Sequence, residues 1–207
     1  VAFTDPDCAL GETYEYYVAA TNADGESPSN TVQVTLEAEP EPEPAGPVVF
    51  EVRVDASDND GEEQADGKVQ IISTDLELVD EDSNQTVGVR FDLKVPRDAT
   101  ILAAHVRFEV DEESVEPANL TIRAQLVDDA AGFDPEPKNI SVRPLTEAAV
   151  EWEPQPWDTL DATHDTPDLS AVVQEIVSRP GWDKGDDIAF VITGSGVRVA
   201  KAFDGDG

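Results

Sequence analysis

The sequence is poor in cysteine, methionine and basic residues. It has one cysteine, Cys8, no methionine, and 13 lysines and arginines against 46 acidic residues, a formal net charge of −33 at pH 7. A single cysteine excludes a disulfide framework and a cysteine-rich zinc site. So negative a chain has no basic patch to release counterions from a polyphosphate, and anionic membranes repel it. We therefore expect neither a nucleic-acid partner nor docking on a membrane.

Long apolar runs are also missing. No stretch approaches the ~20 apolar residues of a membrane helix, and the chain opens with VAFT rather than with a signal peptide. Apolar residues nevertheless make up 39% of the chain, which is enough for a hydrophobic core. We expect a fragment of a longer secreted protein, with no membrane insertion.

The excess of acidic residues has two explanations that are compatible with each other. Molar salt shortens the Debye length to ~3 Å, so an acid-rich, lysine-poor surface suits a protein that lives in brine or seawater. Bound calcium in an extracellular protein would also neutralise part of the charge. We expect a salt-adapted source and keep both explanations.

A proline- and glutamate-rich segment, EAEPEPEPAGP at residues 37–47, divides the chain. Alternating proline and like charge favour an extended polyproline II rod of ~3.1 Å per residue, so the segment would span roughly 30 Å. The sequence predicts an N-terminal module over residues 1–36, this linker, and a second module over residues 48–207.

Residues 1–36 alternate apolar and polar side chains in two runs that flank a turn at residues 22–25, which predicts two strands. This stretch resembles the C-terminal half of a fibronectin type III domain. The matching segments are LGETYEY at 10–16, VAATN at 18–22, GES at 25–27, and Ser29. The resemblance implies that Tyr14 is the corner tyrosine, whose hydroxyl caps the backbone upstream. Because the first strands of such a domain are missing, we expect Tyr16 and Val18 to be less buried than in an intact domain.

Residues 48–207 read as short strands separated by turns, with one helix, and this predicts an all-β sandwich or jelly roll. The helix has Thr166 as its N-cap and Pro167 at its first position, and an apolar stripe runs from Leu169 to Val177. The predicted strands cover residues 48–54, 68–73, 86–94, 101–110, 119–126 and 188–193.

The order of these elements resembles the secreted jelly-roll modules called DNRLRE or disaggregatase-related domains, some of which are classed as carbohydrate-binding modules. The matching segments are VRFDL at 89–93, VPRDATI at 95–101, AHVRF at 104–108, AVEW at 149–152, the helix at 166–177, and IAFVI at 188–192. The family's usual closing strand is absent, so we expect the module to be truncated at its C-terminus.

The acidic run DASDNDGEE at residues 55–63 offers hard oxygen ligands of the kind that calcium prefers, although it lacks the spacing of an EF-hand loop. Jelly-roll carbohydrate-binding modules often hold a structural calcium between their first and last strands. That resemblance implies the ligands Glu62, Glu63, Asp75, Glu77 and Asp204. The alternative is that these acids only solvate the surface.

Exposed tryptophans on a β-surface stack on sugar rings. Trp157 lies in a proline-flanked loop and Trp182 follows the predicted helix, so both are candidate carbohydrate ligands, whereas Trp152 ends a strand and is expected in the core. If all three indoles are buried, a structural role is favoured instead.

No group of residues points to catalysis. The two histidines, His105 and His164, lie far apart in the sequence, and the Gly-x-Ser-x-Gly spacing of a nucleophile elbow is absent. We expect a non-catalytic, monomeric, extracellular module that binds a polysaccharide or cell-surface glycan and holds its parent protein there. The alternative is a structural or adhesive module of a cell-surface protein, without a sugar site.

Overall fold

A computed structural model describes residues 4–9, 11–36, 46–80 and 83–206 of the chain. The chain forms two compact units, Val1–Val48 and Val49–Gly207. The linker predicted for residues 37–47 lies outside the described residues except for Gly46 and Pro47. The fold is all-β with one short helix of more than a single turn. Among the described residues, no helix has the length and hydropathy needed to cross a bilayer.

The part of the first unit that the structure describes contains two antiparallel strand pairs. Strand β1 (Thr13–Tyr16) pairs with β4 (Val32–Thr35), and β2 (Ala19–Asn22) pairs with β3 (Gly25–Pro28). The hydroxyl of Tyr14 accepts a hydrogen bond of 2.8 Å from the backbone N–H of Ala9, five residues upstream. Tyr16 is half-buried and Val18 is 76% exposed.

In its described residues the second unit contains ten strands and two helices. The strands are β5 (Asp60–Glu63), β6 (Val69–Gln70), β7 (Asp75–Glu77), β8 (Thr86–Asp92), β9 (Arg107–Glu112), β10 (Asn119–Ala124), β11 (Val150–Trp152), β12 (Thr163–Asp165), β13 (Asp187–Ser195) and β14 (Val199–Lys201). The helices are α1 (Ser170–Val177) and the single turn α2 (Phe203–Asp206). A 3-10 turn, Ser57–Asn59, precedes β5.

These strands form a sandwich of two antiparallel sheets. One sheet has the order β11-β10-β13-β8-β5-β6 and the other has the order β12-β9-β14-β7. The core contains Val87, Ile122 and Phe190 from the six-stranded sheet together with Phe108 and Val110 from the four-stranded sheet, all at most 5% exposed. Helix α1 adds Val172, Val173, Ile176 and Val177 to the same core.

A second, smaller core surrounds Ala189 and Val191 of β13. It contains Phe133 and Ile140 from the segment that connects β10 to β11, together with Val69 and Ala130. Residues 188–192 therefore contribute side chains to both cores, which explains why this strand is apolar without alternation. Arg143 holds the covering segment by donating to the carbonyl oxygens of Ala131, Gly132 and Asn139, each at 2.8 Å.

The predicted strands are correct in part. Residues 86–94, 119–126 and 188–193 contain β8, β10 and most of β13. Residues 48–54 form no strand, residues 68–73 contribute only β6, and residues 101–110 become a strand only from Arg107.

The predicted helix is correct in position but not in its cap. Helix α1 begins at Ser170, and the carboxylate of Asp168 accepts hydrogen bonds from the N–H of Ser170 at 2.9 Å and of Ala104 at 3.0 Å. The hydroxyl of Thr166 instead accepts a hydrogen bond of 3.1 Å from Val106 N–H, so Thr166 joins the helix segment to the four-stranded sheet.

Candidate acidic site

Strand β5 is acidic and buried, a combination that the sequence pattern did not reveal. Its four residues are Asp60, Gly61, Glu62 and Glu63, and all four are buried. The strand pairs with β8 on one side and β6 on the other, so its backbone polar groups lie inside the six-stranded sheet. Because side chains alternate along a strand, Asp60 and Glu62 leave one face of the sheet and Glu63 leaves the other.

Among the acidic residues of β5, Glu62 is the one whose ionised form its surroundings disfavour most. Its side chain is fully buried, and one carboxyl oxygen, Oε1, accepts a hydrogen bond of 2.7 Å from the N–H of Glu77 in β7. The other oxygen, Oε2, receives no hydrogen bond from a donor among the described residues. Burial, followed by contact with the Glu77 carboxylate, raises the pKa of Glu62 to about 9. At that pKa the Glu62 carboxyl is protonated at neutral pH, and its side-chain hydrogen bond with Glu77 shares the proton.

Further carboxylates adjoin this position. Asp75, Asp111 and Glu112 each place an oxygen within 4.8 Å of the others. The pKa of Asp75 is raised by partial burial and by the charges of Glu77 and Asp111, and Asp75 in turn raises that of Glu62. These interactions join strands β5, β7 and β9 in one group, Glu62, Asp75, Glu77, Asp111 and Glu112, which we call the acidic cluster.

Two residues that the sequence assigned to a single metal site lie elsewhere. Glu63 accepts hydrogen bonds from the N–H of Ile140 at 3.0 Å and of Ser141 at 2.7 Å, and also from the Ser141 hydroxyl. It therefore fastens the segment that covers the second core, and because it leaves the opposite face of β5 from Glu62, the structure does not bring it beside the other predicted ligands.

Asp204 also departs from the predicted set. It accepts a hydrogen bond of 2.9 Å from the hydroxyl of Ser57, and its charge acts on Asp60. Asp60 accepts a hydrogen bond of 2.8 Å from the N–H of Phe203, and burial together with Asp204 raises its pKa to about 6. Of the five predicted ligands, Glu62, Asp75 and Glu77 adjoin one another, and Glu63 and Asp204 make other contacts.

The acidic cluster has the chemistry of a hard-cation site. Its side-chain donors are all carboxylate oxygens, which suit calcium and magnesium and not the softer transition metals. Sequence reasoning missed Asp111 and Glu112 because acidic residues are frequent throughout the chain and the pairing of β9 with β14 beside β7 is not visible in the pattern. Lys201 is the register partner of Asp75, and its ammonium contacts Glu109 and Asp161, each at 2.7 Å.

The tryptophans do not form a sugar-binding surface. Trp157 and Trp182 are fully buried, and Trp152 is 6% exposed. Backbone hydrogen bonds of 3.0 and 2.8 Å with Ser114 hold the Trp157 loop against the sandwich, and the Trp182 indole donates at 3.0 Å to the carbonyl oxygen of Val95. The prediction that Trp157 and Trp182 stack on carbohydrate is therefore wrong, since neither indole face is open to a ligand.

The histidines lie in structural surroundings. The imidazole of His164 stacks on the Trp157 indole with ring centroids 5.2 Å apart, and Nδ1 of His105 lies 2.9 Å from the carbonyl oxygen of Thr166. The Cys8 sulfur lies 3.1 Å from the hydroxyl of Tyr16, in the other unit. The described residues thus place neither histidine in a constellation with a recognisable catalytic role.

No protein-family model, no curated protein and no solved structure matches this chain.

Proposed function

We propose that the chain is part of a non-catalytic structural module, which spaces or stiffens a larger extracellular or cell-surface protein. The observation that carries the proposal is the burial of all three tryptophans in the hydrophobic core of the second unit. Large aromatic side chains are the usual stacking platform for sugar rings. Here they supply packing area, which supports the structural alternative over polysaccharide binding.

The arginines support the same role. Arg198 is 1% exposed and donates hydrogen bonds of 2.7 to 3.0 Å to the carbonyl oxygens of Glu116, Pro154, Gln155 and Val197. Arg143, which is half-buried, also donates to main-chain oxygens and holds a second loop. Buried guanidinium groups that bond to main-chain oxygens fix loop conformation. Loops fixed by buried side chains suit a module that keeps its shape.

The acidic surface fits an exported protein that works in concentrated salt. With 46 acidic and 13 basic residues, the chain repels itself in dilute buffer, and salt screens this repulsion. A strong negative charge also keeps a protein dispersed where salt promotes association. The extracellular location is part of this proposal.

Affinity electrophoresis tests the proposal against carbohydrate binding. The full chain would be run through native gels that contain alginate, pectin, dextran or starch, with calcium and potassium chloride present, beside serum albumin as a non-binding reference. We expect the same mobility relative to albumin with and without each polymer. Retardation by any polymer would overturn the structural assignment and restore carbohydrate binding through a surface other than the tryptophans.

Two further measurements test the remaining parts of the proposal. Incubation with the same polymers should release no reducing ends, and release that depends on the protein would show that the chain is an enzyme. Under native conditions thermolysin should leave residues 49–206 intact, because a structural module must persist as a folded unit. Rapid cleavage within that range would contradict the proposal.

A further inference from the structure

Three asparagines of the second unit stand in Asn-x-Ser/Thr triplets, the acceptor sequence for N-linked glycosylation. They are Asn84, Asn119 and Asn139. The chain has only six asparagines, and 24 of its 207 residues are serine or threonine. At that frequency chance would place a hydroxyl residue two positions after fewer than one of the six. Half of the asparagines stand in the triplet, which indicates that not all of the triplets are accidental.

The surroundings of these asparagines differ. The side chain of Asn119 is exposed and makes no hydrogen bond with another described residue, so its amide is free to be modified. Asn139 is half-buried, and its side-chain oxygen accepts hydrogen bonds from Arg143 at 2.9 Å and from the N–H of Asp134 at 3.2 Å. A bulky group on Asn139 would push away the segment that covers the second core. Asn84 is exposed as well.

An open groove of about 230 Å³ lies beside Asn119, which is one of its lining residues. The groove runs between residues 115–119, which lead into β10, and residues 153–156, which follow β11. Strands β10 and β11 are paired, with Leu120 opposite Trp152. Asn119 therefore stands where the two segments leave the sheet, and a group attached to its side chain starts at the edge of the groove.

The groove is partly apolar, and its two sides are held in place. Its lining includes Val115, which is 52% exposed, together with Pro117, Pro154 and Pro156. Arg198 donates to carbonyl oxygens of both bordering segments, which fixes their spacing. Pockets for drug-sized ligands begin at about 300 Å³, so this smaller groove has room for a single sugar ring. The C–H face of such a ring can cover the exposed apolar groups while its hydroxyls stay in water.

We propose that Asn119 carries an N-linked glycan whose first sugar lies in this groove. The proposal rests on the extracellular location proposed above, because exported chains receive this modification. The transfer forms a bond between Nδ2 of Asn119 and C1 of the sugar. It breaks the bond between C1 and the phosphate of a polyprenyl-phosphate-linked oligosaccharide. The phosphate leaves with the electron pair of that bond, the amide proton passes to a base, and nothing is oxidised or reduced.

Glycopeptide mass spectrometry of the protein recovered from the cells that produce it tests the modification. Trypsin places the three triplets on separate peptides, residues 69–90, residues 108–123 and one that begins at Asn139. We expect a glycan on residues 108–123 and none on the peptide that begins at Asn139. Fractionation of the same culture separates the two proposals. Extracellular protein with an unmodified 108–123 peptide would overturn the glycan alone, whereas protein found only inside the cells would overturn both.

Nuclear magnetic resonance tests the position of the sugar. The full chain, secreted by yeast and trimmed with an endoglycosidase to one N-acetylglucosamine per site, should show NOEs between sugar ring protons and the methyl groups of Val115. Asn119→Gln should lose these NOEs and keep the circular dichroism spectrum of the folded protein. Asn84→Gln removes another exposed acceptor and should leave them unchanged. A sugar on Asn119 without NOEs to Val115 would overturn its placement in the groove, and an unmodified Asn119 in the yeast product would show that the triplet is no acceptor.

Discussion

The phenyl ring of Phe133 packs directly against the backbone of Gly88. A β-carbon at position 88 would lie 2.4 Å from Cζ and 2.7 Å from Cε1 of that ring, closer than two carbon atoms can approach. Gly88 lies in β8 between Gly61 of β5 and Val191 of β13, so the strand has little room to move away. The absence of a side chain at position 88 thus creates the space that the aromatic residue of the second core fills.

Replacing Gly88 with alanine should therefore destabilise the protein by about 1 to 3 kcal/mol, the usual range for overpacking a core. Urea unfolding followed by circular dichroism measures the change. The double variant Gly88→Ala, Phe133→Leu should lose less unfolding free energy than the two single variants lose together, because the smaller side chain leaves space for the new methyl group. A Gly88→Ala variant as stable as the wild type would contradict this packing.

Arg198→Lys should destabilise the protein by about 3 kcal/mol or more. A single ammonium group cannot reach the four carbonyl oxygens that the guanidinium satisfies, and buried polar groups left without partners are costly. Arg107→Lys is the matched control. Arg107 forms an exposed pair with Asp165, and exposed pairs contribute little. Equal urea midpoints for the two variants would show that burial of Arg198 has no energetic role.

Asp168→Ala should lower the stability of the protein, since it removes the acceptor for Ser170 and Ala104 at the start of α1. These hydrogen bonds hold the pKa of Asp168 below its ordinary value of 3.8. A depressed folded-state pKa stabilises the fold above the unfolded value, and this contribution is lost as the pH falls through the folded value. The gap between wild type and Asp168→Ala should therefore be largest near neutral pH and narrow below pH 3.8.

Asp168→Asn distinguishes the contribution of the hydrogen bonds at the start of α1 from that of the Asp168 charge. An amide oxygen can accept the same hydrogen bonds, so this variant should lose less stability than Asp168→Ala at neutral pH. Its difference from the alanine variant should change little between pH 3 and pH 7, because neither side chain titrates. Urea midpoints measured at several pH values give both comparisons, and a constant gap between wild type and Asp168→Asn would contradict the charge effect.

The melting temperature should rise with potassium chloride in the presence of EDTA, most steeply below about 0.5 M. Over this range the Debye length falls from about 30 Å at 0.01 M towards a few ångströms, which screens the repulsion among the 46 acidic residues. The triple variant Glu113→Gln, Glu116→Gln and Glu153→Gln removes three exposed charges. It should melt higher than the wild type in dilute salt and gain less from added salt. Equal slopes would attribute the effect to general salting-out.

The sequence predicted those parts of the fold that depend on short-range pattern. Apolar alternation in β10, the apolar run in β13 and the stripe of α1 are local features, and each element appears at the expected place. Strand β5 is missing from the predicted strands because Asp60, Glu62 and Glu63 are charged and give no apolar alternation. Its strand conformation comes from pairing with β6 and β8, contacts between residues that no local pattern brings together.

The candidate site, too, was predicted only where its residues are close in the sequence. The predicted ligands Glu62, Asp75 and Glu77 are near one another in sequence and also meet in the structure. Asp111 joins them only because β9 and β7 both pair with β14. The tryptophan prediction failed for a related reason: Trp157 lies in a loop, and its burial depends on the distant backbone partner Ser114.

The four hydrogen-bond acceptors of Arg198 are main-chain oxygens, which allows the side chains around it to vary. Every amino acid supplies a carbonyl oxygen, so the bonds to residues 116, 154, 155 and 197 do not depend on which side chains those positions carry. Arg198 alone can thus preserve the course of two loops while their outward-facing residues are exchanged. The surface chemistry at this end of the sandwich is free to diverge without redesign of the backbone beneath it.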